Sequence, residues 1–153
     1  MKIFPSVVSE DVLKSFKNPM GRTMINHAFN TCGIESYLSI ASVLFPRIIL
    51  VKDYIFIEEF YNDNIDSLEE QFQYDKKKIE MFVNSWSLSD FFLQSRDESL
   101  DNDEIFDEFC SLIKYCWSNR IKELFPDKEL IVEIGESIMG EMGEPVGEWI
   151  KIG

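Results

Sequence analysis

Histidine is almost missing from this chain: His27 stands alone in 153 residues. A Ser-His or Cys-His nucleophilic pair would have to be built on it. Its neighbours Met24, Phe29 and Cys32 place it at a helix interior or boundary instead. Cysteine is scarce too, and Cys32, Cys110 and Cys116 show no CxxC spacing. One His and three scattered Cys offer no zinc-ligand pattern. If Cys110 and Cys116 share a helix, six residues turn them about 240° apart, which excludes a disulfide between them. Buried structural thiols in a reducing compartment are the expectation. Long apolar runs are also absent. Ile48–Val51 and Tyr54–Ile57 are far short of a membrane span, and residues 1–11 lack the features of a signal peptide. These absences predict a cytoplasmic chain with no membrane partner.

Basic residues are missing from three long stretches. Asp53 to Asp75 holds 8 acids, Asp97 to Glu108 holds 7 and Glu129 to Glu148 holds 6, each without a Lys or Arg. The net charge is −13. Such a field opposes compaction by self-repulsion and steers an oppositely charged partner. With 13 Phe, 5 Tyr and 3 Trp, the chain has the apolar mass to fold despite the charge. Its length suits one domain, residues 1–153.

The order of elements can be read from periodicity and breakers. Residues 1–20 read as irregular. Met24, Ala28 and Cys32 (or Ile25 and Phe29), then Ile34, Tyr37, Leu38, Ala41 and Leu44, follow helical spacing over Thr23 to Phe45. Gly33 marks a candidate break, and Pro46 a stop. Arg47–Val51 and Tyr54–Glu58 suit a hairpin, although Lys52–Asp53 is not a favoured turn pair. Asn62 or Asp63 can cap a helix from Ile65 to Gln73, and a further helix is expected from Asp75 to Trp86. Phe91 to Leu93 read as a short turn and Arg96–Asn102 as loop. The strongest helix runs from Asp103 to Phe125, acids first and bases last, complementing its dipole. Glu129–Ile134 and Gly147–Ile152 alternate like strands, joined by a Gly-rich connection over Gly135–Pro145. The expected fold is α+β: several helices packed on a small antiparallel sheet in a single domain.

Chemical motifs are weak throughout. Asp97, Asp101 and Asp103 miss the register of a calcium loop, and the central Gly is absent. Gly135, Gly140, Gly143 and Gly147 lack the Lys and Ser/Thr of a phosphate loop, and Glu136, Glu141 and Glu144 would repel phosphate. Lys76–Lys77–Lys78 cannot outweigh the acidic field, so no direct nucleic-acid partner is expected. No cofactor, metal or catalytic residue is assigned. The clusters of acids, with aromatics between them, predict a protein-binding surface. Asp97, Glu98, Asp101, Asp103, Asp107 and Glu108 are the first candidates for it, with Glu141 and Glu144 next.

Two stretches carry a family likeness. One is a helix ending in Ser42–Val43–Leu44–Phe45–Pro46, followed by strands over Ile48–Val51 and Tyr54–Ile57 and then acids. The other is Ile121–Lys122–Glu123–Leu124–Phe125–Pro126, followed by a strand over Leu130–Glu133 and a closing strand. The chain resembles immunity proteins of bacterial contact-dependent growth-inhibition and related polymorphic-toxin systems. The resemblance implies a cytoplasmic, non-enzymatic protein that binds a cognate toxin C-terminal domain, commonly a basic nuclease, and neutralises it. It carries over no site residues. An acidic secretion chaperone, an enzyme using carboxylates or Cys32, and a DNA mimic are the rival classes.

Overall fold

In a computed structural model of the chain, residues 1–92, 97–136 and 148–153 are described. The architecture is α+β, and every strand pairing is antiparallel. Two helices come first, α1 (Met24–Thr31) and α2 (Ile34–Leu44). Thr23 caps α1, its hydroxyl accepting the Asn26 N–H. The break falls at Cys32–Gly33, as the sequence suggests, and Pro46 follows the end of α2.

Strands β1 (Ile48–Val51) and β2 (Tyr54–Ile57) form a hairpin, with Val51 paired to Tyr54 across the Lys52–Asp53 turn. The unfavoured turn pair is explained by what its side chains reach. Lys52 takes a left-handed backbone (φ 54°). Its Nζ donates to Asp66 Oδ1 at 2.9 Å and Glu69 Oε2 at 2.6 Å. Asp53 accepts from Lys76 Nζ at 2.7 Å and Lys128 Nζ at 3.0 Å.

Helix α3 (Ile65–Gln71) follows Asn64, not the expected Asn62 or Asp63, and no side chain caps it. It stops two residues before Gln73 because Gln73 and Tyr74 both turn left-handed (φ 53° and 61°). Asp75 then caps α4 (Lys76–Val83) by accepting the Lys78 N–H. The expected continuation to Trp86 does not occur. Asn84 leaves the helix and Trp86–Ser87 becomes a strand, β3, which sequence periodicity did not announce. Two 3-10 turns, Leu88–Phe92 and Glu98–Asp101, lie ahead of α5 (Asp103–Leu124). The second replaces part of the loop expected over Arg96–Asn102. Asn102 caps α5 through the Ile105 N–H. Strand β4 (Val132–Glu136) starts three residues later than expected, and β5 (Glu148–Ile152) lies between β3 and β4. Most of the Gly-rich connection, with Glu141, Glu144 and Val146, lies outside the described residues, as do Leu93 and the side chains of Trp149 and Ile150.

Two apolar clusters hold this frame. One gathers Ile57, Leu88, Ile113, Trp117, Ile121, Val132 and Ile152 between α5 and the three-stranded sheet. The other gathers Tyr54, Phe56, Leu68, Ile79 and Val83 between the hairpin and helices α3 and α4. All of β2 is buried, so alternate residues serve the two clusters. Among the described residues, no strand lies beside its outer edge. Helix α4 supplies the partners instead: Glu80 Oε1 accepts the Ile55 N–H and Asn84 Oδ1 accepts the Ile57 N–H, both at 2.9 Å. Asn84 Nδ2 donates to the carbonyls of Ile55 and Ile152, which ties the hairpin to β5.

A 3-10 turn over Glu10–Ser15, with Ser9 as its cap, corrects the irregular reading of the first 20 residues. It buries Val12 and Leu13 and packs on α5. Cys110 and Cys116 are buried in α5 and Cys32 is half-buried. Burial pushes the Cys116 thiol up.

Candidate partner-binding surface

The predicted acidic site divides into engaged and unengaged groups. Asp97 caps the turn after it, accepting the Ser99 N–H at 2.9 Å. Glu98 pairs with Lys17. Glu104 accepts the Ser15 hydroxyl at 2.6 Å, and Glu108 accepts the Ser9 backbone N–H at 2.6 Å. Three of these carboxylates therefore strap the first 17 residues onto the start of α5. Among the described residues, Asp101, Asp103 and Asp107 have no hydrogen-bond or ion-pair partner in their side chains. Asp103 and Asp107 are one turn apart on α5 and share a face. Lying within the first turns, they also sit where the helix dipole favours negative charge.

Beside these acids is an apolar groove of about 160 Å³, lined by Phe92, Leu100, Ile105, Phe106, Phe109 and Asp97. Phe109 meets both Phe91 and Phe92 edge-on, at 5.9 and 4.9 Å between ring centres. The groove thus has an aromatic floor, with Asp97 at its margin. Ile105, Phe106 and Phe109 reach it from α5, and Phe92 and Leu100 from the two turns ahead of that helix. Other aromatics near the acids are not available as anchors. Phe60, Tyr61 and Phe72 pack against the two cores, whereas Tyr74 is exposed.

The first acidic tract is mostly internal. Asp53, Asp66 and Glu69 hold the hairpin turn, Glu58 pairs with Arg47 at 3.1 Å and Asp75 caps α4. The two lysines hold the Asp53 carboxyl down to about 2, Lys76 contributing most. Lys52 is pushed above its ordinary value by its two carboxylate partners. Within the third tract, Glu141 and Glu144 lie outside the described residues, so the structure does not bring them to this surface.

A second cleft, of about 300 Å³, lies where α2 rejoins the body. Val43, Pro46, Ile57, Phe60, Phe91 and Trp117 line it, with Arg47 and Glu58 alongside. Trp117 Nε1 donates to the Val43 carbonyl at 2.9 Å and anchors this end of α2. At the start of α1, Glu10 accepts the Met24 N–H at 2.9 Å. His27 is structural in its contacts: Nδ1 accepts the Met20 N–H at 2.9 Å, and its ring meets Phe16 edge-on.

Among the described residues, no cluster of three or more His, Cys, Asp or Glu is arranged to hold a metal ion. None of their helices is long and apolar enough to cross a membrane. The chain matches no family model, no curated protein and no solved structure.

Proposed function

We propose that this chain is a non-catalytic immunity protein that binds a basic toxin domain, of the nuclease kind, and neutralises it. The observation that carries the reading is the acid-rimmed aromatic groove at the start of α5. Asp97 lines it with Phe92, Phe106 and Phe109, and the unpartnered Asp101, Asp103 and Asp107 follow along the Glu98–Asp101 turn and the first turns of α5. Unpaired acids in a field of −13 accelerate encounter with a basic surface. An apolar group entering the groove slows release. Acids covering a nuclease's phosphate-binding surface deny it to nucleic acid, whether they sit on its catalytic residues or beside them. The reading places the chain in the cytoplasm, where a delivered toxin would act.

A second reading, an acidic secretion chaperone, draws on the exposed apolar surface of α1 and α2. It differs in its ligand: an unfolded effector segment in place of a folded basic domain.

The test is capture of the tagged chain from its native host at low and high salt, with mass spectrometry of what remains bound. One stoichiometric basic partner, whose toxicity is cancelled by co-expression of this chain, supports the immunity reading. A partner bound only as an unfolded segment supports the chaperone. Absence of a partner at both salts refutes both.

A further inference from the structure

Helix α2 is apolar around most of its circumference and yet stands in solvent. Residues 33–43 are all exposed, and Glu35 is the only charge in α2. A helix with apolar residues all round is ordinarily a buried one. Ile25 and Phe29 of α1 are 62% and 72% exposed, and Ile34 and Leu38 of α2 are 75% and 65% exposed. With Tyr37, Ile40 and Val43 of α2, and Phe45 and Leu50 beyond its end, the exposed apolar side chains of this segment total on the order of 1,000 Å². The largest apolar patch of an ordinary monomer is about 300–600 Å². A stable interface takes about 800 Å² from each partner.

We propose that the exposed apolar side chains of α1 and α2 form a self-association surface, and that a second copy of the chain covers it. Charge points to that occupant. Residues 18–51 hold two bases, Arg22 and Arg47, and one acid, Glu35, in a chain of net charge −13. The acids are therefore gathered elsewhere. Two like-charged copies repel over most of their surfaces, but not here. A basic partner is drawn to the acidic tracts and finds Glu35 as the one acid of this segment. The two helices are also tethered to the body before any partner arrives. Glu10 fastens the start of α1 and Trp117 the end of α2, and Thr23 caps α1. Little ordering entropy is then lost on docking. One face meeting its own copy across a two-fold axis makes a closed dimer. The groove at the start of α5 shares no lining residue with these helices and is a separate surface.

The experiment is sedimentation equilibrium of the full chain, with and without Phe29→Glu plus Leu38→Glu, at low and high salt. Both side chains are exposed, so circular dichroism and the melting temperature of the double variant should match the wild type. The expected wild type is a dimer whose dissociation constant tightens several-fold in high salt, because screening removes repulsion between two acidic chains. The double variant should be a monomer. Capture of a basic toxin weakens with salt, so the two interactions respond in opposite directions and fail separately. A wild type that stays monomeric at high protein concentration overturns the proposal. So does a double variant that still dimerises. A monomer that sediments with neutral phosphatidylcholine vesicles, and loses this in the double variant, assigns the face to membrane and also overturns it.

Discussion

The backbone N–H of Ser9 donates to the Glu108 carboxylate at 2.6 Å, across 99 residues of sequence. An acid counted among those available to a partner is thereby committed to holding the N-terminal segment on α5. The same is true of Glu98 with Lys17, and Glu104, which was not among those candidates, holds Ser15. Candidate partner contacts narrow to Asp101, Asp103 and Asp107.

Removing the acceptor should loosen the strap without unfolding the chain. Glu108→Ala is expected to cost about 1 kcal/mol, the net worth of a charge-assisted hydrogen bond at an exposed site. Limited proteolysis should cut sooner within the first 20 residues. Asp107→Ala, one position away and unpartnered, should leave that rate unchanged. Equal cutting in both variants would contradict the assignment.

Glu80 carries the clearest pH signature. Burial raises its carboxyl above the ordinary value of 4.5, against the opposing Ile55 N–H bond. A raised carboxyl pKa means that the folded state holds its proton to higher pH than the unfolded chain does. This contribution is fully present below 4.5 and is lost as pH rises through the folded-state value. Glu80→Gln keeps an acceptor for Ile55 and cannot ionise. Its urea midpoint should therefore fall less than that of the wild type from pH 4.5 upward. Glu80→Ala leaves the buried Ile55 N–H unpaired and should cost about 1–3 kcal/mol.

Asp53 has the opposite sign. Its folded value of about 2 lies below the ordinary 3.8. The stability it supplies is present above 3.8 and is lost as pH falls through about 2. Carboxyl NMR titration should show this resonance moving back toward 3.8 in Lys76→Met, and further when Lys128→Met is added. An unchanged titration in the double variant would remove the ion pairs from the account of the hairpin turn.

Asn84 joins three backbone groups on two sheets and is 1% exposed. Asn84→Leu is close in volume but satisfies none of them. We expect a loss of about 2–4 kcal/mol in denaturant unfolding. Thiol labelling of Cys110 and Cys116, both buried beneath that junction's core, should become faster as the core opens more often.

Much of the frame was legible because its signals are local. Asn102 and Pro126 bracket α5, Gly33 and Pro46 mark the limits of α2, and the apolar runs on either side of Lys52–Asp53 gave the hairpin. What escaped the sequence depends on distant partners. Lys52 sits at a left-handed position because Asp66 and Glu69 hold its amine, and Trp86 leaves α4 because Asn84 is committed to β2 and β5. Periodicity located the apolar residues of α1 and α2 without showing what covers them. The acidic tract at the start of α5 was visible as charge. Which of its members are free was not, since Lys17, Ser15 and Ser9 lie more than 80 residues away.

The central claim is that the unpartnered acids at the start of α5 and in the turn ahead of it steer a basic partner to this chain. It is tested most directly by the association rate between the captured partner and Asp101→Asn, Asp103→Asn, Asp107→Asn in combination. Stopped-flow measurements over a salt series give the rate and its slope. The account predicts a rate roughly tenfold lower at low salt and a shallower salt dependence, with the two proteins converging at high salt. A rate and slope equal to those of the wild type would contradict it.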